Sequence, residues 1–124
     1  MPDQKCYCGS EKLFSACCEP FILRKQSAPT AEALMRSRYS AYATHQADYL
    51  VETTAAATRK FHKKDAILHW AKSNQWVKLE ILDASESIVA FKAYYLDNQL
   101  QIQVHYERSN FIKSGEKWYY LDGN

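Results

Sequence analysis

The chain has 124 residues, 47% of them hydrophobic and 14% aromatic, which suits one ordinary domain with a small appendage and excludes a disordered chain. Its formal charge of +2 is too small to argue for a nucleic-acid partner from global charge. No apolar run approaches the ~20 residues a membrane-spanning helix needs, and Met1 to Cys8 holds Asp3, Gln4 and Lys5 with no apolar core, so the chain is expected to be cytoplasmic with no membrane partner.

All four cysteines fall between Cys6 and Cys18, as Cys6-Tyr7-Cys8-Gly9-Ser10 followed by Phe14 and Cys17-Cys18. Four thiolates this close suit a tetrahedral ion, and Zn2+ accepts four sulfurs in structural sites. Disulfide and redox readings compete. Adjacent cysteines pair with strain, the thioredoxin-type C-x-x-C spacing is absent, and clustered cysteines in a cytosolic chain more often hold metal. Gly9 allows a turn at positive φ. Ser10 is expected to cap a short helix over Glu11–Cys18, with Phe14 shielding the site. One structural Zn2+ on Cys6, Cys8, Cys17 and Cys18 is the expectation. Four thiolates and one zinc change the charge by −4 + 2 = −2, bringing the formal +2 to about zero. Residues 1–22 form this knuckle, 23–29 a polar connector with Pro29 at its end, and 30–124 the main body.

Thr30 is placed to cap a helix running from Ala31 to about His45, with Glu32 in its first turn. Leu34, Arg38 and Tyr42 lie one above another on it, beside Met35, Tyr39 and Ala43. An arginine in such a face is expected to pair with a carboxylate. A second helix is expected over Ala47–Thr53. Arg59 to Lys64 is a basic run read as a solvated connection. Binding of nucleic acid there is the weakest of the functional readings and would show steep salt dependence. A third helix is expected from Asp65 to Ser73, with Ile67, Leu68, Trp70 and Ala71 on its buried side.

At Asn74 the period changes from 3.6 to 2. Trp76–Leu82 is read as a strand with Val77, Leu79 and Ile81 on one face. Ser87–Tyr95 follows with Val89, Phe91, Ala93 and Tyr95 together, then Leu100–Phe111 with Ile102, Val104 and Tyr106 opposite Gln103, His105 and Glu107, and Lys117–Leu121 last. Helices followed by an antiparallel meander predict an α+β fold with the helices on one face of the sheet.

The cysteine array, with Gly9, Ser10 and Phe14 at their spacings, resembles the SEC-C zinc motif of the SecA translocation ATPase. Leu34 to Tyr42, Asp48-Tyr49-Leu50, His105-x-Glu107-x-Ser109-x-Phe111 and Trp118-Tyr119-Tyr120-x-Asp122-Gly123 look like the YchJ family of bacterial proteins. The resemblance spans nearly the whole chain. It implies a nuclear-transport-factor-2-like cone, helices packed on a curved antiparallel sheet, over residues 30–124. Many members carry a second SEC-C motif after the Asp-Gly, so properties that need two knuckles are not carried over to a sequence ending at Asn124. The resemblance implies no reaction.

A cone of this kind can enclose a pocket. His105, Glu107 and Ser109 share one face of their strand and could form an acid–base group. Arg36 or Arg38 is expected to oppose Glu107, and Tyr39, Tyr42, Trp70 and Trp76 to line the cavity. The bland alternative is an ion pair tying helix to sheet. His45, His62 and His69 are read as surface or packing residues. Three glycines leave no room for a phosphate-binding loop or a nucleophile elbow. The leading expectation is a non-enzymatic interaction module that docks a protein or ribosomal partner through Lys5, Tyr7, Glu11 and Lys12. The alternative is a small-molecule carrier or acid–base enzyme using the cone.

Overall fold

The computed structural model describes residues 4–123; residues 1–3 of the expected knuckle, and Asn124, lie outside the described residues. The fold is α+β. Helices α1 (Glu19–Ile22), α2 (Ala31–Ala43), α3 (Ala47–Glu52) and α4 (Lys64–Ser73) precede strands β1 (Gln75–Ala84), β2 (Ile88–Leu96), β3 (Ile102–Ser114) and β4 (Lys117–Gly123). The strands form one antiparallel sheet in the order β1-β2-β3-β4. Among the described residues, no helix is long and apolar enough to cross a membrane.

The start and stop of α2 follow from its end residues. The Thr30 hydroxyl accepts the Ala33 N–H at 3.0 Å, satisfying one of the donors a helix start leaves over. At the other end His45 takes a positive φ of 61°. Its N–H bonds Tyr42 O and the Gln46 N–H bonds Ala41 O, the paired closure of a Schellman turn. Between these ends Leu34, Met35, Tyr39 and Ala41 are buried, and α2 lies against β1, β2 and β4. It is the spine on which both the cysteine cluster and the cone's interior are assembled.

The amino-terminal segment differs from its expected shape. No helix spans Glu11–Cys18. Instead Lys5 pairs with Leu13 as an antiparallel bridge, with Cys6 N–H donating to Lys12 O at 2.8 Å and Phe14 N–H to Gln4 O at 2.9 Å. The reason is local: Gly9 and Glu11 both sit at positive φ, 82° and 69°, so the chain reverses where a helix would need to start. Ser10 serves the reversal, its hydroxyl accepting the Lys12 N–H at 3.2 Å. A single 3-10 turn, Phe14–Ala16, then carries the chain to Cys17 and Cys18.

Strand β1 departs from strict alternation. Register shifts fall between Trp76 and Lys78 and between Ile81 and Asp83, so extra residues at Val77 and Leu82 bulge from the ladder. Val77, expected inside, is 52% exposed, and Trp76 turns inward with Leu79. In β3 the expected two faces form, and the polar one points at the helices. Ser109 and Phe111 are buried while Ile102, Val104 and Tyr106 face solvent. The segment Thr53–Ala55 pairs alongside β4: Tyr120 N–H donates to Thr53 O and Ala55 N–H to Tyr120 O, both at 2.7 Å.

Candidate functional site

The four cysteine sulfurs lie within 4.8 Å of one another, with Cys8 to Cys17 at 3.7 Å and Cys17 to Cys18 at 3.9 Å. A disulfide holds its sulfurs at about 2.05 Å, and all four cysteines are free. Around one Zn2+ with Zn–S bonds of about 2.3 Å, tetrahedral sulfurs stand about 3.8 Å apart, so the donor set fits a four-sulfur ion. Hydroxyls sit against the sulfurs, Ser10 Oγ 3.1 Å from Cys17 Sγ and Ser40 Oγ 3.5 Å from Cys6 Sγ. Such hydroxyls can donate to thiolates and fix their direction. Arg36, from α2, donates to Cys8 O at 2.8 Å and pairs with Glu32 at 3.0 Å, placing a cation beside the cluster. The crowded thiols release protons unequally. Cys8 is held far below its ordinary value by hydrogen bonds from Cys18 and Cys6, while hydrogen bonding to Cys6 and Cys8 pushes Cys18 up. Thiolates are the form that binds a cation, so ion binding here releases protons.

Cys6, Cys8 and Cys18 are buried in the same apolar core as Leu34, Met35 and Leu50. Phe14 stacks edge-on against Tyr7 at 5.3 Å, and both pack against that core.

A second site lies within the cone, between the inner face of β2 and β3 and the helices α2 and α4. It is a cavity of about 230 Å³. Seven of the eight pocket candidates line it: Arg38, Tyr39, Tyr42, Trp70, His105, Glu107 and Ser109. Trp76 joins them. Arg36 does not, because its place on α2 turns it toward Cys8. Five further residues, not among the sequence candidates, line the cavity: Met35, His62, Phe91, Ala93 and Tyr120. His62, read as a surface or packing residue, packs edge-on to Tyr120 at 5.9 Å. Tyr120 reaches the cavity through its pairing opposite Phe111, and nothing local distinguishes His62 within its basic run.

The polar end is organised by Glu107. Its carboxylate accepts from Ser109 Oγ at 2.5 Å and Tyr120 Oη at 2.9 Å, and pairs with His105 Nε2 at 3.0 Å. Burial opposes its ionisation, yet these hydrogen bonds win and hold it below the usual carboxylate range. The same bond raises His105 against the opposing effect of burial. Gly123 makes room for this arrangement, since a Cβ built there would collide with the Glu107 carboxylate. Beside this group the wall is aromatic, with Trp70 6.4 Å from the His105 ring. Trp70 and Trp76 meet edge-on at 5.0 Å, and Tyr42 lies 5.7 Å from Trp70 and 5.5 Å from Trp76.

Arg38 departs from its expected pairing. It makes no ion pair with a carboxylate among the described residues. All three of its hydrogen bonds leave from Nη1, to Leu50 O, Thr53 Oγ1 and Thr54 Oγ1, and its guanidinium lies 4.6 Å over the Tyr120 ring. Glu107 takes His105 as its partner instead, because β3 places the two side by side on one face.

The family model described as "YchJ, middle NTF2-like domain" matches residues 30–123. A UPF0225 protein of Serratia proteamaculans is 38% identical over 125 residues, covering 95% of this chain and 81% of that protein. One of Haemophilus influenzae is 37% identical, covering 96% and 76%. Among solved structures, a SEC-C motif containing protein from Rhodopseudomonas palustris superposes with a TM-score of 0.90 at 38% identity, covering 98% of each chain. Another from Psychrobacter arcticus gives 0.83 at 34%, covering 98% and 82%.

Proposed function

This chain belongs to the YchJ family, and from that membership we propose that it is a zinc-anchored ligand-binding domain. One Zn2+ on Cys6, Cys8, Cys17 and Cys18 acts as a fastening, and the cone cavity holds a small molecule. Four protein sulfurs leave no open position for water or substrate, so the ion is structural. In zinc-finger peptides such binding is worth roughly 10–16 kcal/mol and is inseparable from folding. The observation that carries the ligand reading is the cavity itself. Aromatic side chains from α2, α4 and β1 wall it, and a hydrogen-bonded carboxylate–imidazole pair closes its polar end. Large apolar cavities with a few convergent polar groups are the usual form of small-molecule sites.

The test is a titration of the zinc-loaded protein with neutral, cationic and anionic single-ring compounds, followed by the indole resonances of Trp70 and Trp76. Saturable shifts that vanish in Ala93→Phe, which fills the cavity, support the reading. Absence of shifts for every ring compound at millimolar concentration overturns it.

The outer edge of the knuckle supports docking as a second reading. Lys5, Glu11 and Lys12 are exposed there beside the exposed Leu13. Changing Lys5, Tyr7, Glu11 and Lys12 together should then abolish capture of a protein or ribosomal partner from native lysate. Unchanged capture would remove this role.

A further inference from the structure

We infer that the cone cavity takes a small organic anion, a carboxylate carried on an apolar body about the size of one six-membered ring. The inference rests on the ligand-binding reading above and names the chemistry of the ligand. It starts from Arg38, which is 5% exposed and lines the cavity. A guanidinium offers five N–H donors. Here Nη1 makes every bond, and Nε and Nη2 have no partner among the described residues. A buried cation without a counter-charge is costly, and the cost falls when an anion arrives.

The one carboxylate in the cavity does not meet that need. Glu107 is close enough for Arg38 to feel its charge, but it accepts from His105, Ser109 and Tyr120 and forms no ion pair with Arg38. The groups left over around the cavity are then mostly donors. Arg38 keeps two nitrogens, and the Tyr42 hydroxyl has no hydrogen-bond partner among the described residues. Tyr42 and Arg38 stand one turn apart on α2 and both line the cavity. His105 spends Nε2 on Glu107, leaving Nδ1, and His62 stands on the same wall. A ligand carboxylate brings two acceptor oxygens and the missing negative charge, and Arg binds it through two parallel N–H bonds.

Size and walls describe the rest of the ligand. A cavity of 150 Å³ lined by aliphatic and aromatic side chains is large enough to bind benzene, and this one is about 230 Å³. Trp70, Trp76, Tyr42 and Phe91 present ring faces and edges to whatever enters. The competing chemistry is an organic cation, which such rings also attract. Arg38 opposes it, since a second positive charge would enter beside a guanidinium that is already short of a partner.

The experiment compares benzoate, benzylamine and benzyl alcohol on the full zinc-loaded chain, following the Trp70 and Trp76 indole signals. Benzoate is expected to bind at least tenfold more tightly than either of the others. Tyr42→Phe, which keeps the ring, is expected to weaken benzoate several-fold, and Arg38→Lys to weaken it further. Should Arg38→Lys fail to fold, Tyr42→Phe alone decides. Equal or tighter binding of benzylamine or benzyl alcohol overturns the anion assignment while leaving the ligand-binding reading intact. Binding of none of the three overturns both. Benzoate affinity unchanged by Tyr42→Phe overturns the placement of the carboxylate beside Arg38 and Tyr42.

Discussion

Glu107 shows how one side chain couples the sheet's interior to pH. Its stability contribution comes from a folded-state value held below 4.5, so it is present above that pH and is lost as the pH falls through the folded value. His105 is raised above 6.5, so its contribution is complete below 6.5 and is lost as the pH rises through its folded value. The pair therefore stabilises most between pH 4.5 and 6.5. Glu107→Gln should keep the fold, cost roughly 1.5–3 kcal/mol by weakening hydrogen bonds to a charged acceptor, and return the His105 titration toward its ordinary range. Urea unfolding across pH should show the wild-type advantage peaking in that window. An advantage independent of pH would contradict the linkage. The period-two placement of His105, Glu107 and Ser109 made their shared face legible in the sequence. Their partners were not legible, because Tyr120 and His62 reach the cavity through tertiary pairing that no local pattern encodes.

The elements divide in the same way. Helix α2 was readable almost residue by residue, since Thr30 is a strong cap and the apolar rows at i, i+4 are regular. Its cap also makes it testable: Thr30→Ala removes the bond to Ala33 N–H and should cost about 1 kcal/mol, seen as a lowered urea midpoint with an unchanged slope. A changed slope would instead mean that unfolding had ceased to be two-state. The knuckle's hairpin was misread because Ser10 followed by an acidic residue is a common helix-start pattern. The positive φ at Gly9 and at Glu11 distinguishes the two outcomes, and at a non-glycine residue such as Glu11 sequence does not announce it. The bulge at Val77 escaped for a related reason: alternation of Val77, Leu79 and Ile81 fits a regular strand, and the packing of Trp76 against Tyr39, Tyr42 and Tyr95 overrides it.

At the scale of the whole molecule, α2 joins the two sites. Arg36 faces Cys8 and Ser40 faces Cys6, while Arg38 and Tyr42 from the same helix line the cavity. We therefore expect chelation to remove amide protection from the knuckle and to lower it in α2 around Arg36–Ser40, with β2 and β3 retaining theirs. Protection confined in its loss to the knuckle would mean that the cone stands without the metal. Hydrogen exchange followed by NMR distinguishes these results.

Metal-edge X-ray absorption on protein purified without chelator tests the closed sulfur site most directly. One zinc per chain with four sulfur neighbours at about 2.3 Å is the predicted result. Substoichiometric metal, or nitrogen or oxygen in the first coordination sphere, would contradict it.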